Sequence, residues 1–338
     1  MPRFDDELAA LLALDALEPD EQADGELRLG TFPAGLAEAS AALAETVLAT
    51  PPPELRSATL DRALGRRVAG RPVEAVAASE PAEAFACTIA ELYQLLDELS
   101  DAEWELAAHP EHGRVRDLVA HLVGIERLSA RWLAQDALPP LTDHVAATRP
   151  VVAELAMTDP RDVAEEWQQA ALAVLVASAA GDPARLVAFH DLQVSVAGLL
   201  VIRTFEIWSH SMDIALATGR PLPRLDAERM ALMSNRLMAV LPDALAYRGS
   251  ALPGRTARFV LTGDAGGCYT VPLAPDVAAA GFASLDSAEP DFTLVADVVG
   301  LCRLAARRLP LGELAVTVEG NRELADRVLA NLDAFARD

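Results

Sequence analysis

Apolar residues return at three- and four-residue steps through the middle of the chain. Ile89, Leu92, Leu95, Leu96 and Leu99 form one such stripe, the signature of an amphipathic helix with one face turned to a core. The same period predicts four long helices over residues 82–107, 115–135, 160–180 and 194–218, and a fifth over 226–241 that leads away from the others. Asp159-Pro160, Gly181-Asp182-Pro183 and Gly219-Arg220-Pro221 punctuate them, as helix starts and stops do. Between the second and third, Pro139, Pro140 and Pro150 point to a long crossover loop able to cover a site. Four long helices and a crossover make a four-helix bundle.

The pattern differs on either side. Residues 1–66 read as short helices, the last following Pro51-Pro52-Pro53, where proline suits a first helical turn. Residues 67–80 carry glycine, proline and small side chains and read as a linker. Beyond residue 250 the period shortens to that of strands, over 256–261, 269–273, 292–295 and 314–318. Helices over 298–309 and 322–335 are interleaved with them. The expected architecture is therefore mainly α with a small α+β domain. A short helical domain (1–66) and a linker (67–80) precede a four-helix bundle (81–250) and a C-terminal α/β domain (251–338).

Composition narrows the chemistry. The 338 residues include 51 Asp and Glu against 28 basic residues, a net charge of −23, and every basic residue is arginine. Without lysine there is no P-loop lysine and no Schiff base. The acidity argues against direct nucleic-acid binding, which needs clustered positive charge. Aromatic residues make up only 5% against 52% hydrophobic overall, which favours helix over sandwich. No apolar run is long enough for a membrane span and the first residues lack a signal-peptide pattern, so a cytoplasmic protein without membrane contact is expected. Cys87, Cys268 and Cys302 are scattered and form no disulfide framework.

The sharpest chemical feature is Glu206-Ile207-Trp208-Ser209-His210. Glu and His four apart share a helix face and can hold a divalent ion. His121 lies mid-helix among apolar residues, where a buried imidazole needs a partner. Asp213, one turn past His210, is placed to orient its ring. His109 and His112 in the turn before the second helix, and His144 in the crossover, are expected to be solvated. His190 precedes Asp191 near the start of the fourth helix.

Gly113-Arg114-Val115-Arg116-Asp117-Leu118-Val119-Ala120-His121-Leu122, together with Arg203-Thr204-Phe205-Glu206-Ile207-Trp208-Ser209-His210-Ser211-Met212-Asp213, resembles the mycothiol-dependent maleylpyruvate isomerase family. The resemblance implies a DinB-like bundle in which His121, Glu206 and His210 bind zinc or another divalent metal. It implies mycothiol as an external thiol and a sterol-carrier-like C-terminal domain. Leu304-Ala305-Ala306-Arg307-Arg308 and Val318-Glu319-Gly320-Asn321 fit that domain, and Arg307 best matches the arginine that the family uses for its acidic substrate, with Arg308 adjacent. Arg114 departs from the family, which usually carries tryptophan there.

Residues 11–21 and 51–56 resemble zinc-associated anti-sigma domains. The ligand positions of their His-x-x-x-Cys-x-x-Cys motif hold Arg28, Phe32 and Gly35, so that domain would bind no zinc. The fused resemblances imply an anti-sigma-like cytoplasmic regulator. It would bind a sigma factor of the extracytoplasmic-function type through residues 1–66, with the metal bundle as sensor or scaffold. The alternative is a zinc- and mycothiol-dependent isomerase or S-transferase with an accessory N-terminal domain.

Overall fold

A computed structural model describes residues 76–134, 143–189, 192–275 and 289–335. The chain separates into two compact units, Met1–Arg71 and Pro72–Asp338, and every described residue belongs to the second. The expected domain 1–66, its zinc-less motif and most of the 67–80 linker lie outside the described residues.

Four long helices, α1 (Pro81–Asp97), α3 (Val115–Leu133), α5 (Pro160–Ala179) and α6 (Val196–Ala217), form the bundle. Helix α3 packs on α5, and α1 packs on α5 and α6. The stripe read from the sequence faces inward: Phe85, Ile89, Leu92 and Leu96 of α1 are buried, in one core with Leu118, Leu122, Trp167 and Leu199. A single turn, α2 (Asp101–Trp104), and a small hairpin of β1 (Ala107–His109) and β2 (Gly113–Arg114) link α1 to α3. Gly113 sits at φ +85° in that hairpin, a backbone region open to glycine at little cost. A second hairpin, β3 (Leu186–Phe189) with β4 (Leu192–Ser195), leads into α6.

The crossover expected as a loop contains a helix, α4 (His144–Leu155), packed on α3. Asp143 caps it by accepting the Ala146 N–H at 2.8 Å. Pro150 lies inside it and removes one helical donor. Burial of His144, Thr148 and Leu155 on one face offsets that loss. Contact with α3 is close because residue 124 is glycine: a Cβ there would meet the Thr148 Cβ at 2.9 Å and its Cγ2 at 2.8 Å.

Helix α7 (Ala227–Tyr247) leaves the bundle and packs beside a four-stranded sheet of order β6-β5-β7-β8. Its strands are β5 (Thr256–Thr262), β6 (Gly267–Pro272), β7 (Phe292–Asp297) and β8 (Val316–Gly320). Strands β5 and β7 are parallel, and β6 and β8 pair antiparallel at the edges. Alternate residues of β5 and β7, including Phe259, Leu261, Phe292 and Leu294, are buried. They share a second core with α8 (Val298–Ala305) and α9 (Arg322–Leu329). Helix α6 serves both cores, giving Leu199, Ile207 and Ile214 to the bundle and Trp208 and Met212 to the second. The fold is mainly helical with a small mixed sheet, as the sequence pattern predicts. No described helix is long and apolar enough to cross a membrane.

Candidate metal centre

His121 sits on α3 between Leu118, Val119 and Leu122 of the bundle core and is 1% exposed. Its Nδ1 lies 2.7 Å from Thr148 Oγ1. The Thr148 hydroxyl donates to the Val145 carbonyl at 3.0 Å, so its oxygen accepts and the imidazole proton is on Nδ1. Nε2 therefore presents a lone pair, 3.6 Å from Glu206 Oε1. Both atoms are buried without a hydrogen-bond partner. Burial, against the opposing pull of Glu206, lowers His121 to about 4, and the ring is neutral at neutral pH.

Glu206 is held from its other oxygen. Arg203, one turn earlier on α6 and fully buried, donates Nη1 to Glu206 Oε2. It also donates Nη2 to Glu126 Oε1 at 2.8 Å and shares Nε with both Glu126 oxygens at 3.2 Å. Burial pushes the Glu206 carboxyl up, but Arg203 and His121 outweigh it and hold it well below the usual range. Glu126, with no group but Arg203 to oppose its burial, moves the other way. One guanidinium thus faces two carboxylates, which leaves acidity available to a cation.

His210, also on α6 and fully buried, bonds through Nδ1 to Asp213 Oδ2 at 3.0 Å. That contact directs its Nε2, buried and without a hydrogen-bond partner, away from the carboxylate. Asp213 takes two more hydrogen bonds from Arg308, Nε to Oδ1 at 3.0 Å and Nη2 to Oδ2 at 2.6 Å. Burial raises the Asp213 carboxyl, yet His210 and Arg308 bring it below its ordinary value. Arg308 arrives there because α8 ends in a left-handed turn. Arg307 sits at φ +59°, its N–H bonds the Leu304 carbonyl at 3.0 Å, and the Arg308 N–H reaches Arg303 at 2.8 Å. This is a Schellman stop with arginine at the position usually given to glycine.

The two arginines of the pair lie in different surroundings. Arg308 reaches His210, with Nη2 3.3 Å from its Nδ1 and its side chain 7% exposed. The Arg307 side chain is 37% exposed, with Nε 3.7 Å from Asp333. The expectation that His109, His112 and His144 are solvated is corrected for two of them, since His112 and His144 are both buried. The His112 ring stacks on His121 with centroids 3.9 Å apart and on His109 at 4.7 Å. Ligand atoms of His112, His121 and His210 lie within 4.8 Å of one another, as do those of His121, His144 and Glu206. Arg114 turns toward Glu105 at 2.6 Å and Asp117 at 2.8 Å. His190 lies outside the described residues.

The donor set suits a divalent transition ion: imidazole nitrogens and one ionised carboxylate. The His210–Asp213 contact is the carboxylate–histidine pairing that fixes the tautomer of a ligand. His121 Nε2, Glu206 Oε1 and His210 Nε2 are buried without hydrogen-bond partners, and such atoms are costly unless a cation joins them. His121 is the member common to the two groups of ligand atoms.

Residues 85–215 match a protein-family model described as the mycothiol maleylpyruvate isomerase N-terminal domain. The matched stretch contains His121, Glu206 and His210 and ends before Arg308. None of the curated proteins matches the chain. Among solved structures, the crystal structure of the mycothiol-dependent maleylpyruvate isomerase is 15% identical with a TM-score of 0.48. It covers 70% of this chain and 92% of its own. A histidine-to-alanine mutant of that enzyme gives the same identity and coverage with a TM-score of 0.47.

Proposed function

We propose that the bundle is a divalent-metal centre for thiol chemistry of the mycothiol-dependent isomerase or S-transferase type, with zinc as the metal. The observation that carries this reading is that the His121 ligand atom lies within 4.8 Å of Glu206 in one group of donors and of His210 in another. His121 Nε2, Glu206 Oε1 and His210 Nε2 are each buried without a hydrogen-bond partner. These three residues would hold the ion. A bound divalent ion supplies the Lewis acidity that lowers the pKa of a thiol and keeps it as thiolate.

The chain's own residues prepare that chemistry. Burial keeps His121 neutral, Arg203 keeps Glu206 ionised, and Asp213 fixes the ring of His210. Arg308 is a positioning residue, holding Asp213 by two hydrogen bonds and lying 3.3 Å from His210 Nδ1. The thiol comes from outside, because no cysteine belongs to either ligand cluster and burial pushes the Cys302 thiol up to about 12. Such a thiolate adds to an activated double bond or displaces a leaving group.

The test is metal content and turnover together. The purified chain is expected to carry about one zinc, to turn over maleylpyruvate with mycothiol, and to lose both in His210→Ala. A metal-loaded protein inert toward mycothiol and electrophiles would overturn the reading. The sigma-factor partner is a separate proposal for residues 1–66, which the family match does not reach. Co-purification that depends on those residues tests it.

A further inference from the structure

The helix α4 brings one more imidazole to the centre than the sequence motif provides. Ligand atoms of His144, His121 and Glu206 all lie within 4.8 Å of one another. Donors around a tetrahedral ion with bonds of ~2.1 Å sit roughly 3.4 Å apart, so a modest contraction would bring the three onto one ion. His144 is 5% exposed, and Thr148, four residues on and therefore on the same helix face, holds His121 Nδ1 at 2.7 Å. One face of α4 thus carries both the group that orients His121 and a ring beside it. The absence of a side chain at Gly124 lets that face come close.

We propose that His144 is a further ligand of the ion held by His121, Glu206 and His210, so that the chain can close the position an incoming thiol would need. The proposal rests on the metal assignment above. His112 belongs to the other group, with His121 and His210, and its ring stacks on His121 at 30° and 3.9 Å, whereas His144 shares its group with the carboxylate of Glu206. A fourth protein donor turns an open, catalytic arrangement into a closed one. A thiol would then compete with His144 for the ion.

The experiment uses the full chain, stripped of metal and titrated with Co²⁺ and Zn²⁺ against a chromophoric chelator. The wild type is expected to give the intense visible absorption of four-coordinate cobalt. His144→Gln should bind at least ~10-fold more weakly and give a weaker, shifted spectrum, whereas Arg307→Ala should leave both unchanged. Zinc-edge X-ray absorption of the wild type should fit three imidazoles, a readout independent of whether any variant folds. Wild-type affinity and spectrum in a folded His144→Gln, or a fit to two imidazoles, would overturn the proposal. If His121→Ala still abolishes binding, the metal centre itself stands. A wild type that binds neither ion overturns both.

Discussion

Arg308 clamps Asp213 through two hydrogen bonds, at 3.0 and 2.6 Å, and the same carboxylate holds the Nδ1 of His210 at 3.0 Å. A residue just past the end of α8 therefore sets the orientation of a ring on α6. Arg308→Ala is expected to weaken zinc binding by ~10–100-fold, the usual cost of losing a group that orients a ligand. Arg307→Ala should leave it unchanged. Chelator competition on both proteins checks the contrast, and equal effects would show that the clamp does not matter.

Arg307 offers a second measurement. Its left-handed backbone at φ +59° is one that glycine adopts without strain. Arg307→Gly is expected to match or exceed the wild-type melting temperature while keeping metal affinity. A clear drop would mean that its contact with Asp333 outweighs the backbone gain.

Gly124→Ala should act on the centre from a distance. The added methyl would press on the Thr148 side chain at 2.8–2.9 Å, and such overpacking costs about 1–3 kcal/mol. Because Thr148 orients His121, metal affinity should fall along with stability. Denaturant unfolding and zinc titration read the two effects, and lost stability with unaltered affinity would separate α4 from the centre.

Much of this site was legible in the sequence, and what was missed has identifiable causes. Glu206 and His210 carry a helical spacing, and His121 stands among core residues, so local pattern points to all three. The place of His144 depends on α4, whose existence Pro150 argues against and only packing on α3 secures. His112 lies in a hairpin whose strands, Ala107–His109 and Gly113–Arg114, are too short to leave a period-two signature. The choice between Arg307 and Arg308 turns on a single left-handed residue, which no periodicity reports. The strands past residue 250 are legible because the sheet buries alternate residues on one face.

Thiol labelling should divide the cysteines. Cys87 and Cys268 are exposed, whereas Cys302 is buried with its thiol pushed up to about 12. Native alkylation followed by mass spectrometry is expected to modify two sites and spare Cys302 until the chain is unfolded. Rapid labelling of Cys302 would contradict the packing of α8.

Acid should loosen the start of α7. Asp226 accepts the Arg229 backbone N–H at 2.8 Å and its guanidinium at 2.7 Å. Burial raises its carboxyl, but these contacts prevail and bring it below its ordinary 3.8. Its contribution is therefore full above that value and fades as pH falls through the lower, folded one. Asp226→Asn keeps a capping oxygen but has no proton to gain. The urea midpoint should fall less between pH 5 and about pH 3 in that variant than in the wild type. Parallel losses would place the acid sensitivity elsewhere.

The shared use of α6 bears on how the protein can be dissected. A truncation after residue 250 would strip the cover from Trp208 and Met212, baring a greasy flank on the very rod that carries Glu206 and His210. Because the bundle and the sheet share this helix, a shortened version is expected to aggregate or melt early rather than survive as a miniature of the whole.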